Sequence, residues 1–227
     1  MKSKFRFVER GFSLLEMSMV LVIIGVLLGA VMVGTDVLRQ AKNQQLFSVF
    51  ISGWRDAFSR YTQVIGVVPG DNPTTPNNMI GVALNTWLCD TPPNNDLSNV
   101  LLAARIRIPQ GRGLGRESRY VYQDSLGTPH ELQVCFATIN WSVQGAAVGL
   151  FASSPRHVMR LTGLTTELAL QLDVLIDGSV SARFGQFRLV TFENSLIAAD
   201  AGWGDLESVP GQQESARNLV TAYFEML

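Results

Sequence analysis

The sequence predicts an α+β protein: one long N-terminal α-helix, apolar through its first half, packs its second half on an antiparallel β-sheet head. Three observations predict this. Residues 12–34 form an apolar run holding a single charge, Glu16. From Thr35 to Ile65 there is no proline, and large apolar residues recur at three- and four-residue steps. Beyond Ile65 the pattern changes to short β-type and helical runs separated by Pro, Gly and Asn clusters.

Composition bounds the function. The chain has 227 residues, 18 Lys+Arg against 19 Asp+Glu, 47% hydrophobic and only 16% charged residues. That is too apolar for a disordered or collagen-like chain, and a net charge of −1 argues against a dedicated nucleic-acid binder. Two Cys and two His (Cys89, His130, Cys135 and His157) lack zinc-finger spacing, so neither metal nor cofactor is expected. Charge is unevenly spread. Residues 1–11 carry Lys2, Lys4, Arg6 and Arg10 against Glu9.

The N-terminal run is the most informative segment. Its 23 residues would make a helix of about 34 Å, enough to cross a hydrocarbon core of roughly 30 Å. The basic flank places residues 1–11 in the cytoplasm and exports the rest. A secretory signal has an apolar stretch of about 7–15 residues and a small-residue cleavage site; this run is longer and ends in Val31-Met32-Val33-Gly34. A plain membrane anchor explains the length but not Glu16, because a carboxylate costs up to ~3 kcal/mol in the span. It needs a cationic partner, and the span contains no Lys or Arg. A cut after Gly11 would create one: the α-amine of Phe12, one helical turn from Glu16 in the same chain or in a neighbouring copy.

Gly11-Phe12-Ser13-Leu14-Leu15-Glu16, after a short basic leader and before an apolar helix, resembles the class III signal of type IV prepilins and type II secretion pseudopilins. The resemblance implies a pilin-like fold. It also implies cleavage between Gly11 and Phe12 by a prepilin peptidase, N-methylation of Phe12, and an assembly role for Glu16 opposite the N-terminus of an adjacent subunit. Other pilin or pseudopilin subunits, an inner-membrane assembly platform, and the lipid bilayer before assembly are the implied partners. The implied location is the bacterial inner membrane, single-pass with the head in the periplasm, and then a pilus or pseudopilus. Gly25 and Gly29 make a G-x-x-x-G step suited to close helix approach. Many pilus-forming relatives carry a proline where this chain has Val33.

The helix is expected to continue through 35–65 as an amphipathic segment. Phe47, Phe50, Ile51, Trp54, Phe58, Tyr61 and Ile65 form its apolar face. The full helix would be near 80 Å long, and Gly66-Val67-Val68-Pro69-Gly70 stops it. The organisation is therefore leader 1–11, membrane or filament-core helix 12–34, amphipathic helix 35–65 and head 66–227.

Within the head the sequence predicts a helix at 96–105 capped by Asp96 or Ser98, and strands at 119–123 and 131–140. It also predicts a helix at 165–176, a strand pair within 179–193 and a short terminal helix at 212–226. Val67-Val68-Pro69-Gly70-Asp71 resembles the "LPGD" segment of a minor-pilin subgroup. Leu172–Gly178 resembles that subgroup's Asp-plus-"DG" turn. Cys89 and Cys135, exported to an oxidising compartment, are expected to pair. Closing their separation would contribute roughly 3–4 kcal/mol on the chain-entropy model.

Catalytic motifs are missing: there is no G-x-S-x-G, H-E-x-x-H or P-loop, and no enzymatic reaction is expected. His130 and His157 read as structural, and Asp71, Asn72, Asp173 and Asp177 as turn residues rather than calcium ligands. Asn140-Trp141-Ser142 is a glycosylation sequon placed inside a strand. Arg105, Arg107, Arg112, Arg116 and Arg119 surround a glycine-rich loop. They read as a solvated loop paired with local acids. The competing readings are a tip adhesin or DNA-binding pilin, and a membrane-anchored periplasmic binding protein or enzyme.

Overall fold

A computed structural model of the chain describes residues 13–91, 94–147, 149–203 and 219–226. The chain divides into two units, Met1–Lys42 and Asn43–Leu227. The first holds most of helix α1 (Leu14–Gln45). Ser13 begins it, its Oγ accepting the Leu15 N–H at 3.2 Å. No proline or turn pair interrupts the helix.

The second unit opens with the last residues of α1, then a π-helical turn, Leu46–Ile51, and helix α2 (Ser52–Ile65). The π turn is a departure from the uniform α-helix expected here. It places Leu46, Phe50 and Ile51 in the core together. Of the expected apolar face, Phe50, Ile51, Trp54, Phe58 and Tyr61 are buried, Phe47 is half-buried and Ile65 is exposed. Gly66 ends α2 in the left-handed region, φ 83°, and its N–H donates to the Thr62 carbonyl.

The head sheet is antiparallel. Its strands are β1 (Leu88–Thr91), β2 (Asn94–Asn95), β3 (Arg119–Gln123), β4 (Pro129–Gln144), β5 (Phe151–Thr165), β6 (Phe187–Leu189) and β7 (Leu219–Glu225). The order is β2-β1-β4-β5-β7-β6, with β3 also paired to β4. Two further helices, α3 (Asp96–Ala103) and α4 (Thr166–Asp177), complete the α+β arrangement, which is consistent with a pilin-like fold. Alternation divides β4 between two faces. Leu132, Val134 and Phe136 enter the main core, where Trp54 and Phe58 meet the Phe136 ring edge-on at 6.0 and 5.6 Å. Ala137, Ile139 and Trp141 face the other way and join Val158 and Tyr223 in a smaller cluster.

Two expectations of the head are corrected. The terminal helix is instead strand β7 over its described part; residues 212–218 of that expectation lie outside the described residues. Val220, Ala222 and Phe224 alternate into the core, and β5 and β6 pair with both edges of the strand. The strand pair within 179–193 reduces to the three residues of β6. Here Asp173 accepts the Ser181 N–H, and Asp177 accepts those of Gln186 and Phe187, so carboxylates take the place of a ladder. Strand β5 was not anticipated at all. It tolerates Pro155 beyond the reach of β7, where only β4 pairs with it, and Gly163 (φ 89°) at a bulge.

Candidate functional site

Two regions carry the expected functional residues. In the first, Leu14–Val31 is a helix long and apolar enough to cross a membrane, with none of that window buried inside the chain. Glu16 lies in its first turn. Gly11 and Phe12, the expected processing pair, lie outside the described residues. Ser13 had no role in the sequence reading. With Glu16 three residues on, it makes the S-x-x-E pattern of a helix start, a signal that was available. The Ser18 hydroxyl donates to the Leu15 carbonyl at 2.8 Å, so both serines of this apolar turn are satisfied by backbone. A negative charge beside the unpaired N–H groups of the first turn is also favoured by the helix dipole. A Cβ at Gly25 or Gly29 would meet nothing within 4 Å, so nothing within the single chain requires glycine at either position.

The second region is the Cys89–Cys135 disulfide. The two residues are direct cross-strand partners of β1 and β4, with Cα atoms 4.5 Å apart. β1 meets β4 at only two positions, this one and Leu88 opposite Phe136. The bond therefore ties β1, and with it the two-residue edge strand β2, to a sheet it joins by only a short ladder.

The remaining candidates are local ties. Asp71 accepts the N–H groups of Asn72, Asn77 and Asn78. Asp124 accepts those of Leu126 and Thr128 and meets His130 Nε2 at 3.0 Å; the histidine contact holds its carboxyl below the ordinary range. His157 Nδ1 contacts the Thr138 hydroxyl at 3.0 Å, and burial lowers its pKa. Asp173 is wholly buried and accepts the Trp203 indole N–H at 2.7 Å; burial pushes it up to about 6. Asn140 is exposed on β4, between buried Ile139 and Trp141.

The arginine group does not form one uniform positive surface. Arg112 and Arg119 both bind the Glu131 carboxylate. Burial raises the Glu131 pKa, but the two guanidiniums outweigh it and hold the carboxyl low. Arg107 instead lines an open groove with Asp56, Arg60 and Pro109.

Residues 6–32 match the family model described as the prokaryotic N-terminal methylation motif. No curated protein and no solved structure matches the chain. The matched segment supports a type IV pilin-like prepilin signal, the α+β architecture is consistent with a pilin-like fold, and the apolar helix is long enough for a membrane anchor. A signal of this class implies processing by prepilin peptidase and assembly with other pilin subunits.

Proposed function

We propose that the chain is a structural subunit, a minor pilin or pseudopilin, assembled through its N-terminal helix into a type IV pilus or type II secretion pseudopilus. Residues 1–11 are its leader, cut between Gly11 and Phe12. Phe12 is N-methylated, 12–34 spans the bilayer and then enters the filament core, 35–65 continues the helix, and 66–227 forms the periplasmic head. An inner-membrane platform draws the helix out of the lipid.

The observation that carries this reading is the motif match over 6–32 with Glu16 inside it. Four leader cations hold the uncut chain in the membrane, and removing them lets an apolar helix leave it. A buried carboxylate is poorly tolerated without a counter-charge, so Glu16 favours a register in which the new Phe12 amine meets it. The open sides of Gly25 and Gly29 suit close approach by a neighbouring helix. The proline-free stretch around Val33 and a head of about 160 residues favour a minor subunit over a bulk one. The structural character of pilins, together with the lack of a catalytic motif, supports a non-enzymatic role.

The test is intact and N-terminal peptide mass spectrometry on protein from membranes that contain its peptidase. A chain starting at methylated Phe12 is expected. A chain starting at Met1, or one cut near residue 34, overturns the proposal in favour of an anchored or secreted periplasmic protein.

A further inference from the structure

Strand register places an unusual row across the outer face of the head sheet. Cys89 pairs with Cys135, Cys135 with Arg160, and Arg160 with Tyr223. Direct cross-strand partners share a face, so a disulfide, a guanidinium and a phenol stand side by side. Arg160 Nη2 lies 3.8 Å from Cys89 Sγ and 3.7 Å from Cys135 Sγ. Its guanidinium carbon sits 4.1 Å from the centroid of the Trp87 ring, and Trp87 stacks on Tyr223 at 5.6 Å and 12°. Among the described residues no carboxylate forms an ion pair with Arg160, and its Nε is buried without a hydrogen-bond partner.

This is a half-buried cation whose polar neighbours are two sulfurs and the neutral Tyr223 phenol. Burial disfavours its charge, yet arginine stays protonated in proteins. A disulfide gives it little in return, because neutral sulfur is a weak acceptor. A thiolate at either sulfur would supply the missing counter-charge. The arrangement therefore favours the reduced pair over the oxidised one, relative to a disulfide with no cation beside it. A neighbouring arginine lowers a thiol's pKa, and a stabilised reduced form makes a disulfide more oxidising.

We propose that Cys89–Cys135 is an exchange-competent disulfide, poised by Arg160, that accepts two electrons from an external dithiol. Cys135 is buried and Cys89 half-buried, so the incoming thiolate attacks Cys89 Sγ. The S–S electron pair leaves on Cys135 Sγ, beside Arg160. The second sulfur of the dithiol loses its proton and attacks its own partner sulfur in the mixed disulfide, expelling Cys89 as a thiolate that takes up a proton. The dithiol departs as a disulfide, and both cysteines are left reduced. Because this bond reinforces one of the two register pairs joining β1 to β4, reduction loosens β1 and the edge strand β2 beyond it.

The experiment uses the full chain in detergent, equilibrated in glutathione redox buffers, then acid-quenched, alkylated and counted by mass. Arg160→Gln is expected to lower the equilibrium constant for reduction about tenfold, equivalent to about 30 mV, whereas Arg160→Lys retains most of the wild-type value. In the reduced wild-type chain, alkylation rate against pH is expected to report a thiol titrating below the ordinary value of about 8.5. A packing role alone would lower the melting temperature of both redox forms equally and leave the equilibrium constant unchanged. Equality of wild type and Arg160→Gln within twofold overturns the proposal. If Arg160→Gln does not fold, the wild-type titration decides: both thiols titrating at or above the ordinary value overturn it.

Discussion

Replacing Asp173 by Asn is expected to stabilise the head at neutral pH, contrary to the usual result of altering a buried, hydrogen-bonded carboxylate. Asp173 is wholly buried on α4, and a single oxygen, Oδ2, accepts both the Ser181 N–H and the Trp203 indole N–H. Oδ1 is buried with no partner. One helical turn on, the Asp177 carboxylate is occupied by the N–H groups of Gln186 and Phe187 and adds its own repulsion. Two carboxylates bond to each other only through a proton, so protonating Asp173 satisfies Oδ1 and removes the buried charge together. Burial is the largest cause of its raised pKa, about 6 against an ordinary 3.8. The sign follows: a raised folded pKa gives stability that is full below about pH 4 and lost as pH rises through about 6. Two pKa units at 1.36 kcal/mol each make that loss about 3 kcal/mol. Asn reproduces the protonated acid at every pH, its oxygen in the Oδ2 place and its NH₂ toward Asp177. The stability difference, Asp173→Asn minus wild type, is therefore expected to grow from near zero at pH 4 to about 3 kcal/mol at pH 7.5. Urea unfolding of the full chain in detergent, followed by tryptophan fluorescence across that range, measures it. A difference that does not vary with pH, or an Asn variant less stable than wild type at pH 7.5, refutes the reasoning.

Glu131→Gln is expected to cost roughly 1–2 kcal/mol by leaving Arg112 and Arg119 without their shared anion. The Glu131 pKa is depressed in the fold, so its stabilisation is present above the ordinary carboxylate pKa and lost as pH falls through the folded value; a pH-resolved denaturation series of wild type and variant checks both. Gly163→Ala is expected to cost about 2 kcal/mol or more, because Gly163 has φ 89° and a Cβ there would collide with the Glu131 carbonyl; thermal unfolding measures it. Gly11→Ala is expected to block processing, and immunoblotting that finds normal maturation would count against the cleavage site. Glu16→Val is expected to leave processing largely intact but abolish most incorporation into sheared filaments, and unchanged incorporation would remove the pairing role from Glu16.

What the sequence revealed was local. The α2 stripe, the stop at Gly66, α3, β3 and α4 each follow from a pattern within about a dozen residues, and Glu16 stands out because a charge in an apolar run needs no partner to be noticed. What it hid was relational. Strand β5 carries Pro155 and Gly163, which break a strand pattern unless one knows that β7 stops short of the first and that a bulge absorbs the second. Strand β7 is recognisable only between its neighbours. Arg160 is one of the chain's many arginines until the register sets it against Cys135. Cys89 and Cys135 were paired by counting; the cation beside them was beyond the reach of counting.

Several loops and turns of the head are held by single side chains, whereas β5 and β7 are held by long ladders. Asp71 gathers the loop from Asn72 to Asn78, Asp124 the turn into β4, and Asp173 and Asp177 the stretch from Ser181 to Phe187. The disulfide reinforces the short β1 pairing. A ladder distributes its stability over many bonds and is largely indifferent to conditions. A carboxylate or a disulfide concentrates it in one group whose state depends on pH or redox potential. Asp124 and Glu131 hold best when ionised, Asp173 when protonated, so lowering the pH strengthens the tie at α4 while weakening those around β3 and β4. In the main core Trp54 and Phe58 meet Phe136 through non-titratable rings, although Phe58 also packs against the His157 ring at 6.0 Å. Changes of condition therefore act first on the loops and turns of the head, and reach the packing of α2 against the sheet where Phe58 meets His157.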